Sequence, residues 1–144
     1  MSIQKLSARS ESRLVGVHPD LVRVVRNAAE LSDREFMVLE GVRTVAKQRE
    51  YFNAGKSKTM NSRHIPKPAK GQAGLVSHAV DLAPLLDLDG DGDLDVSWNH
   101  RDFRPIARLV KDAALALGVQ IVWGGDWKSF VDMPHFELAR AAYP

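Results

Sequence analysis

The chain has no cysteine among its 144 residues. Disulfide staples and thiolate metal sites are thereby excluded, and any metal must be held by histidine and carboxylate. Long apolar runs are missing too, so no segment is long enough to cross a bilayer as a helix. The opening stretch from Met1 to Ser7 lacks the apolar centre of a signal peptide. Charge of one sign is scarce: 20 lysines and arginines against 18 acids leave a formal charge of +2. The isoelectric point is nevertheless near 9.0. The basic residues are spread along the chain rather than gathered in one block, which argues against a nucleic-acid partner and leaves approach to an anionic polymer open. There is no internal repeat and no low-complexity tail.

What remains is a globular composition, 44% hydrophobic and 26% charged, in a chain long enough to bury its own core. We read residues 1–144 as a single domain in which residues 1–17, being polar, form a loose arm. Pro19 suits the first turn of a helix, continued by Leu21, Val24, Val25 and Ala28 at helical spacing. Residues 36–39 read as a buried strand. Thr44 is placed to cap a second helix that runs to about Asn53 and is ended by Gly55. Residues 54–77, rich in glycine, proline, serine and lysine, read as a long loop, and loops of that length are usually functional or mobile. A strand follows around residues 79–83, then an Asp/Gly turn over 87–95. Asn99 or Asp102 starts a third helix, closed by Gly118, and residues 119–123 and 135–138 supply two more strands. About three helices and a small antiparallel sheet make the class α+β.

Three segments carry chemistry. They are Ser62-Arg63-His64, His78-Ala79-Val80-Asp81-Leu82 and Asp132-Met133-Pro134-His135-Phe136. Two histidines and a carboxylate, with a second carboxylate beside them, suit a catalytic zinc site, in which three protein ligands leave a fourth position open and a nearby acid handles protons. Two histidines compete for one position. Side chains alternate along a strand, so Asp81 shares a face with Ala79, while His78 and Val80 point the other way. His64, free to fold back from its loop, is therefore favoured as ligand beside Asp81 and His135, with His78 as runner-up. Asp132, three residues before His135 and stiffened by Pro134, is placed as general base and then general acid. His18 and His100, at helix starts, are read as structural, and Asp126 as a turn residue.

These segments, with Trp123-Gly124-Gly125-Asp126-Trp127, resemble the phage endolysins that are L-alanyl-D-glutamate peptidases, grouped with zinc D-Ala-D-Ala carboxypeptidases and dipeptidases. The resemblance runs from Gly16-Val17-His18-Pro19-Asp20-Leu21 to Leu138. It implies the small α+β fold of that group, related to hedgehog-type domains, with His64, Asp81 and His135 as zinc ligands and Asp132 as catalytic acid/base. Glu40-Gly41-Val42-Arg43-Thr44 and Gln48 resemble the family's arginine motif, which implies that Arg43 stabilises an oxyanion. The family's first histidine and aspartate lie close together in a Ser-x-His-x-x-Gly-x-Ala-x-Asp pattern. Here residues 65–77 separate them, and Ser77 stands where glycine is usual.

Asp87, Asp89, Asp91, Asp93 and Asp95 follow EF-hand spacing with Gly92 at the sixth position, but Trp98 stands where the closing glutamate belongs. Calcium there competes with a plain hairpin built on Asp-Gly steps. The expected function is a monomeric zinc endopeptidase that cuts the L-Ala–D-Glu bond of the peptidoglycan stem peptide during phage lysis. It would be made in the host cytoplasm and act in the periplasm, with a holin-like partner giving access. The alternatives are a D-Ala-D-Ala carboxypeptidase of the same group and a non-catalytic wall-binding module.

Overall fold

A computed structural model describes residues 6–144. Its elements, in chain order, are α1 (Ala8–Arg13), α2 (Pro19–Leu31), β1 (Phe36–Glu40), α3 (Val45–Asn53), β2 (Ala79–Leu86), β3 (Asp95–Val96), α4 (His100–Leu117), β4 (Ile121–Trp123), a 3-10 turn at Gly124–Asp126 and β5 (His135–Leu138). All strand pairings are antiparallel. The sheet runs β1-β2-β5-β4, with β3 paired to the far end of β2.

The helix ends follow local chemistry. His18 caps α2, its Nδ1 accepting from the Asp20 amide, with Pro19 in the first turn. Thr44 caps α3 by accepting from the Lys47 amide, and Asn99 caps α4 by accepting from Arg101. Gly118 ends α4 in the left-handed conformation that only glycine adopts without cost. Gly55 has positive φ just past the end of α3.

The expectation of a loose arm over residues 1–17 does not hold for its described part. Residues 8–13 form α1, with Ser7 as N-cap, and Leu6, Leu14 and Val17 enter the core. The helix is stitched to β1 by polar contacts: the buried Ser10 hydroxyl accepts from the Val38 amide, and Arg13 donates to the Val38 carbonyl. Four helices are thus present among the described residues. Residues 1–5 lie outside the described part.

The sheet has two distinct faces, and this division places the site. Val80 and Leu82 of β2, and Phe136 and Leu138 of β5, are buried in one core with Leu21, Val24 and Val25 of α2 and Ile106 and Val110 of α4. Each such side chain contributes about 1.5–3 kcal/mol on leaving water. Alternation then sends Asp81, His135 and Glu137 to the opposite face, where Asp81 stands directly across from His135 in the ladder. A register irregularity in β1 between Val38 and Glu40 sets Glu40 opposite Asp81 as well, a bulge of the kind that re-aims side chains beside active sites.

Residues 65–76 leave the fold after His64 and rejoin it at Ser77, which is buried and bonded to Gly16 and His18. The His78 amide donates to the Arg63 carbonyl at 2.8 Å, and Lys67 and Val76 exchange both backbone hydrogen bonds. The segment is a hairpin-like excursion, so His64 is carried to Asp81 despite the long separation in sequence.

Candidate metal centre

His64, Asp81 and His135 converge on the sheet face away from α2 and α4, with one ligand atom from each within 4.8 Å of the others. His64 Nε2 lies 3.0 Å from Asp81 Oδ1, and His135 Nδ1 lies 3.4 Å from the same oxygen. His78 does not join them. Its ring lies 5.7 Å from that of His18, and its Nδ1–H donates to the Val76 carbonyl. The strand alternation that separates His78 from Asp81 in the sequence therefore separates them in space.

Each histidine of the cluster has its second nitrogen tied down. His64 Nδ1–H donates to the Gly41 carbonyl at 2.8 Å, and His135 Nε2–H donates to Glu137 at 2.8 Å. One nitrogen per ring is thus left facing the centre, and the orientation is fixed from behind, as metal-bound histidines require. Two imidazoles, one carboxylate and no thiol make a donor set that fits zinc with an open position.

Glu137 is the functional residue that the sequence reading passed over. It is nearly fully buried, with Arg63 at 3.7 Å and Arg140 at 3.9 Å from its carboxylate. Burial alone would raise its pKa, but the hydrogen bond from His135 and the charges of His135, Arg140 and Arg63 hold it below its usual value. The signal was there: in His135-Phe136-Glu137 the first and third residues of a strand share a face.

Asp132 sits at the end of the loop between the 3-10 turn and β5. Its amide donates to the Gly124 carbonyl at 3.0 Å, and its carbonyl accepts from the His135 amide at 3.2 Å. Gly124 is obligatory there, because a Cβ would strike the Asp132 carbonyl and come within 3.0 Å of His135 Cβ. Burial first, and the Asp81 charge second, push the Asp132 carboxyl above its ordinary value, against the pull of His135, His64 and Arg43. For Asp81, burial is outweighed by His64 and His135, which hold it well below the usual carboxylate range.

Arg43 is presented by the loop between β1 and α3, and its amide donates to the His64 carbonyl at 3.0 Å. Its guanidinium pairs with Glu40, donates to the Gln48 side chain at 2.8 Å and lies 3.8 Å from Asp81. The Glu40 and Gln48 of the sequence motif thus hold the arginine from two sides. Glu40, Arg43, His64, Asp81, Asp132, His135 and Glu137 line one cavity of about 850 Å³, shared with Tyr51, Lys56, Lys58, Trp127 and Phe130.

The remaining sequence candidates lie elsewhere. Asp87, Asp89 and Asp91 come together on the exposed β2–β3 turn. Asp87 accepts from the amides of Gly90 and Gly92, Asp89 from that of Asp91, and Asp91 from that of Asp93, so backbone donors already organise the turn. Asp95 begins β3, and Asp93 stands outside the three-residue group. Asp126 pairs with Lys111 at 2.6 Å, and His100 opens α4.

A family profile described as phage L-alanyl-D-glutamate peptidase matches residues 1–141. The chain belongs to this family. It is 31% identical over 140 residues to the L-alanyl-D-glutamate peptidase of Escherichia phage T5, covering 96% of this chain and 92% of the phage protein. It is also 31% identical over 121 residues to the Bacillus subtilis peptidoglycan L-alanyl-D-glutamate endopeptidase CwlK, covering 79% and 66% of the two chains. Among solved structures, the Serratia marcescens L-Ala D-Glu endopeptidase ChiX superposes with a TM-score of 0.77 at 41% identity over 94% of this chain and 90% of that one. Family membership agrees with the α+β sheet-and-helix arrangement.

Proposed function

We propose that this protein hydrolyses the L-Ala–D-Glu bond of the peptidoglycan stem peptide, with zinc held by His64, Asp81 and His135. The observation that carries the reading is the meeting of those three donors with Asp132 and Arg43 in one cavity, in a chain of this family. Bound there, zinc supplies Lewis acidity that activates a water and polarises the scissile carbonyl. Asp132 takes a proton from the attacking water and delivers it to the departing D-Glu nitrogen. Burial and the Asp81 charge raise its pKa, which favours a group that must both accept and give a proton. Arg43, held by Glu40 and Gln48, offers permanent charge to the developing oxyanion. No described helix is long and apolar enough to cross a membrane, and a holin-like partner would provide the route to the wall during phage lysis.

Mass spectrometry of Gram-negative peptidoglycan treated with the protein, with and without a chelator, tests the reading. The expected products are stem peptides beginning at D-Glu, with L-Ala left on the muramyl group, and their release should stop on chelation. Loss of a terminal D-Ala would instead indicate a carboxypeptidase. No cleavage by folded, zinc-loaded protein would indicate a wall-binding module.

Two further outcomes follow from the metal shell. Glu137→Gln, which keeps the shape but not the charge behind His135, should weaken zinc binding by about tenfold to a hundredfold in a competition titration with a chromophoric chelator. In the metal-free protein, burial of His135 opposes its charge, but Asp81 and Glu137 prevail and push it up to about 9. The pair it forms then stabilises the metal-free fold fully below about 6.5, and that stabilisation is lost as pH rises through about 9. At pH 7.5 the ring carries a proton on the nitrogen that zinc needs. Zinc binding should therefore release about one proton, read from calorimetry in buffers of different ionisation enthalpy. Heats that do not vary with buffer would contradict it.

A further inference from the structure

The cavity wall carries five cations, and its three arginines are already engaged. Arg43 is taken by Glu40 and Gln48. Arg63 donates to the carbonyls of Leu138 and Tyr143 and lies 3.7 Å from Glu137, which Arg140 also approaches. Lys56 also lacks a carboxylate partner among the described residues; its ammonium stands 6.0 Å from the Tyr51 ring, which Arg43 and Lys47 face as well. Lys58 has no carboxylate partner among the described residues, and its ammonium stands 5.6 Å from the Phe130 ring.

Both sides of this contact are built rather than loose. The buried Gln48 side-chain amide donates to the Ser57 hydroxyl at 2.8 Å and to the Thr59 carbonyl at 2.6 Å, pinning the backbone on either side of Lys58. Phe130 is the sole described non-glycine residue with positive φ, at 51°. An aromatic residue held there costs free energy, and the conformation sets its ring on the cavity wall, two residues before Asp132. Lys58 therefore faces the loop that carries Asp132, the group assigned above to protonate the leaving amine.

We propose that Lys58 is a specificity-determining residue that binds the free carboxylate of the D-Glu on the leaving side, a step that rests on the function proposed above. The chemistry requires such a partner. D-Glu has two carboxyl groups, the peptide continues through one, and the other remains an anion close to the scissile nitrogen. A buried anion without a counter-charge would weaken binding strongly. Of the two lysines without a carboxylate partner, Lys58 is the one that faces the Asp132 loop, Lys56 standing over Tyr51 instead.

The test compares a γ-linked L-Ala–D-Glu stem peptide with its analogue in which the free α-carboxylate is a carboxamide. Steady-state rates are measured for the wild type, Lys58→Met, Lys58→Arg and Lys56→Met. The wild type should prefer the carboxylate peptide by about tenfold to a hundredfold. Lys58→Met should lose that preference, chiefly through a higher KM on the carboxylate peptide, so that its rates on the two peptides converge. Lys58→Arg should keep most of the preference, as should Lys56→Met. A wild type indifferent to the carboxylate, an equal loss on both peptides in Lys58→Met, or a preference lost in Lys56→Met instead would overturn the assignment. A wild type that cleaves neither peptide at this bond would remove the underlying function, and the assignment with it.

Discussion

Asp132→Asn is expected to bind one zinc per chain as the wild type does and to lose about a hundredfold to ten-thousandfold in kcat. The variant keeps the shape of the side chain and removes its ability to take and return a proton. Its backbone contacts with Gly124 and His135 do not involve the carboxyl group, so the loop should keep its form. Metal content by emission spectrometry and turnover of a stem peptide separate the two roles. If metal is retained and turnover is unchanged, the proton transfer belongs to another group. If metal is lost along with activity, Asp132 is a ligand or holds one. The acid limb of the pH–rate profile gives a further reading, because deprotonated Asp132 is the form that starts the reaction, and that limb should vanish in Asp132→Asn.

His64→Ala should fall to background activity and lose zinc under dialysis that leaves the wild type loaded, whereas His78→Ala should keep both. Two donors in place of three leave the ion poorly held, and a site that has lost a ligand no longer fixes the geometry for catalysis. His78 is fully buried, so its replacement by alanine should cost stability through packing, seen as a lower melting temperature with metal content intact. A His78→Ala protein that loses zinc while His64→Ala keeps it would reverse the assignment.

How far the sequence could be read depended on whether the deciding interaction was local. Thr44, Asn99 and Gly118 mark helix ends through contacts within a few residues, and α2, α3 and α4 were legible for that reason. Helix α1 was not. It is six residues long, and its hold on the fold comes from Ser10 and Arg13 reaching Val38, a partner 25 or more positions away. The candidate site followed the same division. Strand alternation separates Asp81 from His78 using the sequence alone, and the Asp132–His135 spacing sits within one turn. Glu137 stayed hidden because a buried carboxylate makes sense only once His135, Arg63 and Arg140 surround it, and Arg63 arrives from more than 70 residues upstream. Likewise, nothing local revealed that residues 65–77 close on themselves.

That closure makes the segment a natural graft point. The backbone leaves at Arg63 and returns at His78, whose amide bonds the Arg63 carbonyl. The Lys67–Val76 pair closes the stretch within, and Ser77 is tied separately to Gly16 and His18, so the length of residues 68–75 does not bear on where His64 and Asp81 stand. The entropy of closing a loop grows only logarithmically, with each doubling costing about 0.6 kcal/mol. Relatives are thus free to shorten, lengthen or replace this stretch, by evolution or by engineering, without moving His64 relative to Asp81.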